Sequence, residues 1–174
     1  MILIALGANL GGRAGPPARG LDAAIVLLQR EGVRTLRRSR WYVSAPVPRS
    51  AQPSYVNGVV VVDTLQRPKA LLRRLKALEK RFGRMNGTRN APRVLDLDLL
   101  DWRGLVTGPD GVPPELPHPR MSGRAFVLLP LLEVAPRWRH PVSGKSARTL
   151  LAELPPIGRP VLLPKRGRFV CRTV

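Results

Sequence analysis

The chain has 174 residues and an apolar content of 44%, enough for one domain with a buried core. Its 30 basic residues against 11 acidic ones give a formal charge of +19, which would attract phosphate-rich partners. Of the basic residues 25 are Arg, so a solvated arginine surface accounts for much of the charge, and charge alone leaves nucleic acid binding open.

The apolar opening MILIALGANL is too short to span a bilayer and follows no basic segment, so neither a signal peptide nor a membrane anchor is expected. With the lone Cys171 excluding an internal disulfide and a cysteine metal cluster, the expectation is a soluble cytoplasmic protein. ILIALGA (2–8) reads as a buried first strand running into the glycines of NLGGRAG. LDAAIVLLQREG (21–32) has a helical apolar face at 21, 24, 25 and 28, with Gly32 as its stop. VRTLRRSRWYVS (33–44) and YVNGVVVVDTL (55–65) are β-branched and aromatic enough for strands, joined by the proline-rich loop APVPRSAQPS. Pro68 suits the first turn of a helix, PKALLRRLKALEKRFG, with Leu71, Leu75, Leu78 and Phe82 along one side and Gly83 at its end. The arginine-bearing loop RMNGTRNAPR then leads into a strand, VLDLDLLDW. Further on, RAFVLLPLLEVA is helical with Pro130 expected to bend or interrupt it, and the basic tail ends in RFVCRTV, a candidate edge strand.

The order β-α-β-β-α-β with added C-terminal elements predicts a ferredoxin-like α+β fold, its antiparallel sheet covered by helices on one face and open to a ligand on the other. A single catalytic domain over 1–174 is expected, with a basic, Pro-rich tail at 156–174.

The unusual feature is the acid in VLDLDLLDW: Asp96, Asp98 and Asp101 fall within six residues of a leucine run. Strand alternation puts Leu95, Leu97 and Leu99 on one face and Asp96 and Asp98 on the other, with Asp101 on the leucine side. Same-face residues two apart start about 7 Å apart, and two carboxylates at that distance repel by about 2 kcal/mol. A divalent cation with bound phosphates offsets that repulsion, and Arg84, Arg89 and Arg93 upstream offer planar donor forks matched to phosphate oxygens. A solvent-facing strand paired with arginines is the plainer alternative. A carboxylate pair beside a cationic loop suits metal-assisted phosphoryl transfer, and no G-x-x-x-x-G-K-[ST] sequence supplies a P-loop.

Taken together, LGANLGG, SAPVPRSAQPSYVNGVV, LEKRFGR, APRVLDLDLL and LPHPRMSGRAFVLLPLLEVAP make the chain resemble the 6-hydroxymethyl-7,8-dihydropterin pyrophosphokinase family over roughly residues 1–155. The most specific element is P-R-x-L-D-L-D-[LI] followed by P-H-x-x-M. The resemblance implies an ATP- and Mg²⁺-dependent transfer of diphosphate onto a pterin alcohol in folate biosynthesis. It implies that Asp96 and Asp98 hold two Mg²⁺ ions, that Arg93 and Arg84 assist transfer from a flexible loop, and that Glu79, Arg93, His118 and Arg124 contact ATP. It also implies that Tyr55 and Phe126 sandwich the pterin while Asn57, Ser44 and Val47 read its polar edge. Asn90 stands where the family often carries a loop tryptophan, and Asn86 where it carries a second arginine.

The partners expected are therefore ATP and a reduced pterin, for a monomer acting away from membranes and without a nucleic acid substrate. Two rival readings are a nucleotidyltransferase and an RNA-binding module on the same sheet, and the first leaves P-H-x-x-M and the Y-V-N stretch unexplained. In the second, Asp96 and Asp98 would repel the phosphates of RNA.

Overall fold

A computed structural model describes residues 1–48, 50–83, 91–108, 113–156 and 158–164. Its sheet is built around two long strands, β1 (Ile2–Ala8) and β4 (Tyr55–Asp63), paired antiparallel with Ile2 opposite Val62 and Ala8 opposite Val56. β5 (Asp96–Trp102) flanks β1, also antiparallel. The other edge of β4 is shared by β2 (Arg34–Arg38) on its C-terminal half and β3 (Tyr42–Ser44) on its N-terminal half. β6 (Val161–Leu162) adds to β3, so the path runs β5-β1-β4-β3-β6.

The single strand expected over 33–44 is thus two. Ser39 lies between them, its backbone N–H donating to Val59 O and its hydroxyl accepting from Val59 N–H. Trp41 then drops into the core against Gly58, where a Cβ would come within 2.5 Å of its ring. A strand-interior glycine is here a slot for an indole.

Helix α1 (Pro17–Arg30) starts earlier than its apolar periodicity suggested, because Pro17 suits a first helical turn. Helix α2 (Pro68–Arg81) follows its predicted bounds closely. Gly32 and Gly83 end the two helices at φ +80° and +90°, a conformation that glycine adopts without a Cβ penalty. Both helices pack on one sheet face: Leu21, Ala24 and Leu28 of α1 and Leu71, Leu75 and Leu78 of α2 meet Ile2, Ile4, Leu6, Val56, Val60, Leu95, Leu97 and Leu99.

The opposite face is not wholly open. Helix α3 (Ala125–Val134) runs through Pro130 without interruption and, with α4 (Ala147–Ala152), covers Leu3, Val59, Val61 and Leu100. α3 is apolar apart from Glu133, which bonds Arg40 and Tyr42, so packing holds it where propensity would not. This second core leaves bare the end of the face that carries Gly7, Tyr55, Asn57, Asp96 and Asp98. Among the described residues, no helix is long and apolar enough to cross a membrane.

Candidate active site

Three strands change character at the same level of the sheet. On the face toward α3, β4 reads Val61, Val59, Asn57, Tyr55 and β1 reads Leu3, Ala5, Gly7. β5 reads Leu100, Asp98, Asp96 on that face. The apolar members lie under α3. The polar ones line a cleft of about 460 Å³, whose far wall is the Ser44–Pro48 loop and whose rim carries Arg120, Arg124 and Phe126.

Asp96 and Asp98 do share this face, as alternation predicts. Each is about a quarter exposed, and each already faces cations: Arg93 Nη1 lies 2.6 Å from Asp96 Oδ2. Around Asp98 stand Lys76 Nζ at 3.7 Å, Arg124 Nη1 at 3.8 Å and His118 Nε2 at 3.9 Å. Lys76, Arg93, Arg120 and Arg124 all line the cleft, so its described walls carry more positive than negative charge. Such a cleft favours a polyanion that can lie against the arginines while its counter-cation meets the aspartates.

The aspartates are held by their strand. Glu79 on α2 is buried, and its Oε1 accepts from Leu97 N–H at 2.7 Å and Lys76 Nζ at 2.8 Å. It caps the outer edge of β5 between the two aspartates and reaches the cleft through Lys76, which itself touches Leu97 O at 3.0 Å. Lys76 went unnoticed in the sequence because it reads there as one more solvated helix cation. His118 also sits behind the cleft wall. Its backbone N–H donates to Leu100 O, and its Nδ1 accepts from Arg120 N–H at 3.2 Å, leaving Nε2 toward Asp98. Burial lowers the His118 pKa, with Asp98 opposing and Arg124 and Arg120 adding to that shift.

Asp101 does not lie on the leucine side. A bulge places Leu100 and Asp101 together opposite the Leu3/Ile4 step, so Asp101 registers with Leu3 on the α3 face. There it is buried, Oδ2 accepting from Trp138 Nε1 and Oδ1 from Gly104 N–H, both at 2.7 Å. Asp101 is a structural acceptor remote from the cleft, and the bulge is why three acids so close together serve two purposes.

Across β1 from the aspartates, β3 and β4 present uncharged polar side chains to the cleft. Asn57 is buried and donates from Nδ2 to Ser44 Oγ at 2.9 Å. Opposite it in the ladder is Gly7, where a Cβ would come within 3.3 Å of Asn57 Oδ1. Tyr55 and Phe126 both line the cleft, Tyr55 half-buried with its hydroxyl on Gln52 Oε1, and the Arg124 guanidinium lies 5.4 Å from the Phe126 ring centre. Val47 is 74% exposed at the mouth. Arg84 lies outside the described residues.

A residue missed in the sequence ties the two ends together. Asn9, buried at the end of β1, accepts at Oδ1 from Arg93 N–H at 2.7 Å. Its Nδ2 donates to Gln52 Oε1 at 3.1 Å and Pro53 O at 3.3 Å. The asparagine of LGANLGG therefore joins the segment bearing Arg93 to the loop that precedes Tyr55. No local pattern announces such a bond, because both partners arrive from more than 40 residues away.

A model of the family 7,8-dihydro-6-hydroxymethylpterin-pyrophosphokinase (HPPK) matches residues 3–136. The chain is 38% identical over 147 residues to the 2-amino-4-hydroxy-6-hydroxymethyldihydropteridine pyrophosphokinase of Synechocystis sp., covering 84% of this chain and 74% of that protein. It is 37% identical over 155 residues to the protein of the same name from Pseudomonas aeruginosa, covering 88% and 91%. Among solved structures, the HPPK-DHPS chain of Plasmodium falciparum superposes with a TM-score of 0.68 at 15% identity. That likeness is one of fold, and this chain spans 43% of the Plasmodium chain while 87% of this chain is covered. The chain belongs to the 7,8-dihydro-6-hydroxymethylpterin-pyrophosphokinase family.

Proposed function

We propose that the protein transfers diphosphate from ATP to the hydroxymethyl oxygen of 6-hydroxymethyl-7,8-dihydropterin, releasing AMP, as a step of folate biosynthesis. The observation that carries this reading is the division of one cleft: two carboxylates with Lys76, Arg93 and Arg124 within 4 Å of them on one side, and a buried amide–hydroxyl pair on the other, with Tyr55 and Phe126 lining the same cleft. The family membership and the names of the relatives support the same reaction. The sheet order, with β2 and β3 sharing one edge of β4, supports a ferredoxin-like description of the core.

In this reading Tyr55 and Phe126 stack on the pterin ring, and Asn57, Ser44 and the backbone at Val47 recognise its polar edge. A side-chain amide both donates and accepts, which suits an edge carrying both kinds of group. Arg93, Lys76 and Arg124 bind the triphosphate, with His118 behind them and Glu79 orienting Lys76. The family resemblance assigns Arg84, which lies outside the described residues, to the same transfer chemistry. Asp96 and Asp98 fit a divalent cation such as Mg²⁺: they are hard oxygen donors on one face, partly open to the cleft. Mg²⁺ is commonly held by one or two carboxylates together with substrate phosphates, which is the number of carboxylates this face presents. When bound, such metal supplies charge neutralisation and acidifies a nearby hydroxyl.

The hydroxymethyl oxygen forms a bond to the β-phosphorus as the bond from that phosphorus to the α–β bridging oxygen breaks; the bridging oxygen leaves with AMP, and the hydroxyl proton is released to solvent. The chain's contribution is alignment of the two substrates and stabilisation of charge on the transferred group by fixed guanidinium and ammonium groups. A direct test uses ATP labelled at the β-phosphorus. The label is expected in the pterin product and absent from AMP; label retained in ADP, with none in the pterin, would indicate simple phosphoryl transfer and refute the proposal.

A further inference from the structure

The C-terminal segment lies beyond the family match, which ends at residue 136, yet it returns to the strand that leads into the cleft wall. β6 pairs antiparallel with β3, Leu162 opposite Tyr42 and Val161 opposite Val43. Just beyond, Leu163 N–H donates to Trp41 O at 2.8 Å, and the Leu163 side chain packs on the core that holds Trp41. Upstream, the Arg159 guanidinium donates to Leu151 O at the end of α4.

β3 is only three residues long, and it leads directly into the Ser44–Pro48 wall of the cleft. Its inner edge is paired with β4 and its outer edge with β6. A second cavity of about 770 Å³ shares Ser44, Val47, Arg124 and Phe126 with the cleft, and Leu154, Pro155, Gly158 and Pro160 form its opposite wall. The same short strand that presents Ser44 to Asn57 is therefore held from outside by the tail.

We propose that residues 158–164 form a positioning strap for the pterin end of the site. By pairing with the outer edge of β3 the strap fixes the Ser44 hydroxyl and the loop after it, and so sets affinity for the pterin without touching the nucleotide end. This rests on the assignment of Ser44, Val47 and Asn57 to the pterin. Strands that are short and unpaired on one side open readily, whereas pairing on both edges suppresses that opening.

Leu163→Pro removes the N–H that donates to Trp41 O, and Leu163→Ala keeps it while trimming the packing. Binding of 6-hydroxymethyl-7,8-dihydropterin and of a non-hydrolysable ATP analogue would be titrated separately, with amide hydrogen exchange followed at residues 42–44. For Leu163→Pro the pterin Kd is expected to rise about three- to tenfold, the equivalent of one lost backbone hydrogen bond, with the analogue's Kd held within about twofold. Exchange at 42–44 should quicken, and Leu163→Ala should show a smaller change of the same kind, which also serves if proline prevents folding. Faster exchange with unchanged pterin affinity overturns the strap, as do unchanged exchange or an equal loss of both ligands. If the wild-type protein itself fails to bind the pterin, the functional reading fails instead.

Discussion

Asn9 and Arg93 hold each other across the site: Arg93 N–H donates to Asn9 Oδ1 at 2.7 Å, and Asn9 N–H donates to Arg93 O at 2.9 Å. The same side chain reaches Gln52 and Pro53 on the opposite wall. Two segments far apart in sequence are thereby fixed at one buried amide. Asn9→Ala leaves the Arg93 N–H without that acceptor, and losses of this kind cost about 1–3 kcal/mol. Denaturant unfolding should report that decrease. Because Arg93 and Tyr55 flank the anchored segments, KM should rise for both ATP and pterin. Asn9→Asp, which keeps the acceptor, should recover part of the ATP effect.

Asp101 tests the division of labour within β5. Its buried carboxylate serves Trp138 and Gly104, so Asp101→Ala strands two donors and should cost about 1–3 kcal/mol of stability. For a chain of this size each kcal/mol lowers Tm by about 2–4 °C. At temperatures where the variant stays folded, KM for either substrate should match the wild type. A selective loss of activity at full stability would place Asp101 in the site after all.

The aromatic walls should act on one substrate only. Replacing Tyr55 or Phe126 by Ala removes a stacking surface of the kind that contributes about 1–3 kcal/mol per contact. Calorimetric titration should show weaker pterin binding by about five- to 150-fold for each, with the affinity for an ATP analogue nearly unchanged.

Both histidines should titrate below their ordinary value of 6.5, chiefly because burial disfavours the imidazolium. His140 packs edge-on against the Trp138 ring at 5.8 Å. The unfolded chain then binds more protons than the folded one between the depressed values and 6.5. The stability they contribute is complete above 6.5 and declines as pH falls through the folded values. Proton NMR titration of the two rings, with unfolding curves between pH 7 and 5, checks both the direction and the window.

Much of the site was legible because strand alternation is a strict rule. Asp96 and Asp98 on one face, the three leucines beneath them, and the cationic residue Arg93 all follow from spacing. Asp101 was misplaced because one bulged residue resets the alternation, and a bulge depends on pairing with β1 that no local stretch encodes. The open face was overestimated for a related reason: α3 was recognised as a helix, but where it docks is a tertiary fact. Lys76 and Asn9 escaped notice because their roles arise only when partners from other elements meet them. The break between β2 and β3 likewise depends on the indole of Trp41 finding the space above Gly58.

The most direct measurement is product analysis after incubating the protein with Mg²⁺, ATP and 6-hydroxymethyl-7,8-dihydropterin, alongside Asp98→Ala. The wild type is predicted to release AMP and pterin diphosphate in equal amounts. Asp98→Ala should be slower by about 100-fold or more, as expected when a charge-organising group is lost from a transfer site, with its circular dichroism unchanged. No AMP from folded wild-type protein, or undiminished turnover by the variant, would contradict the account.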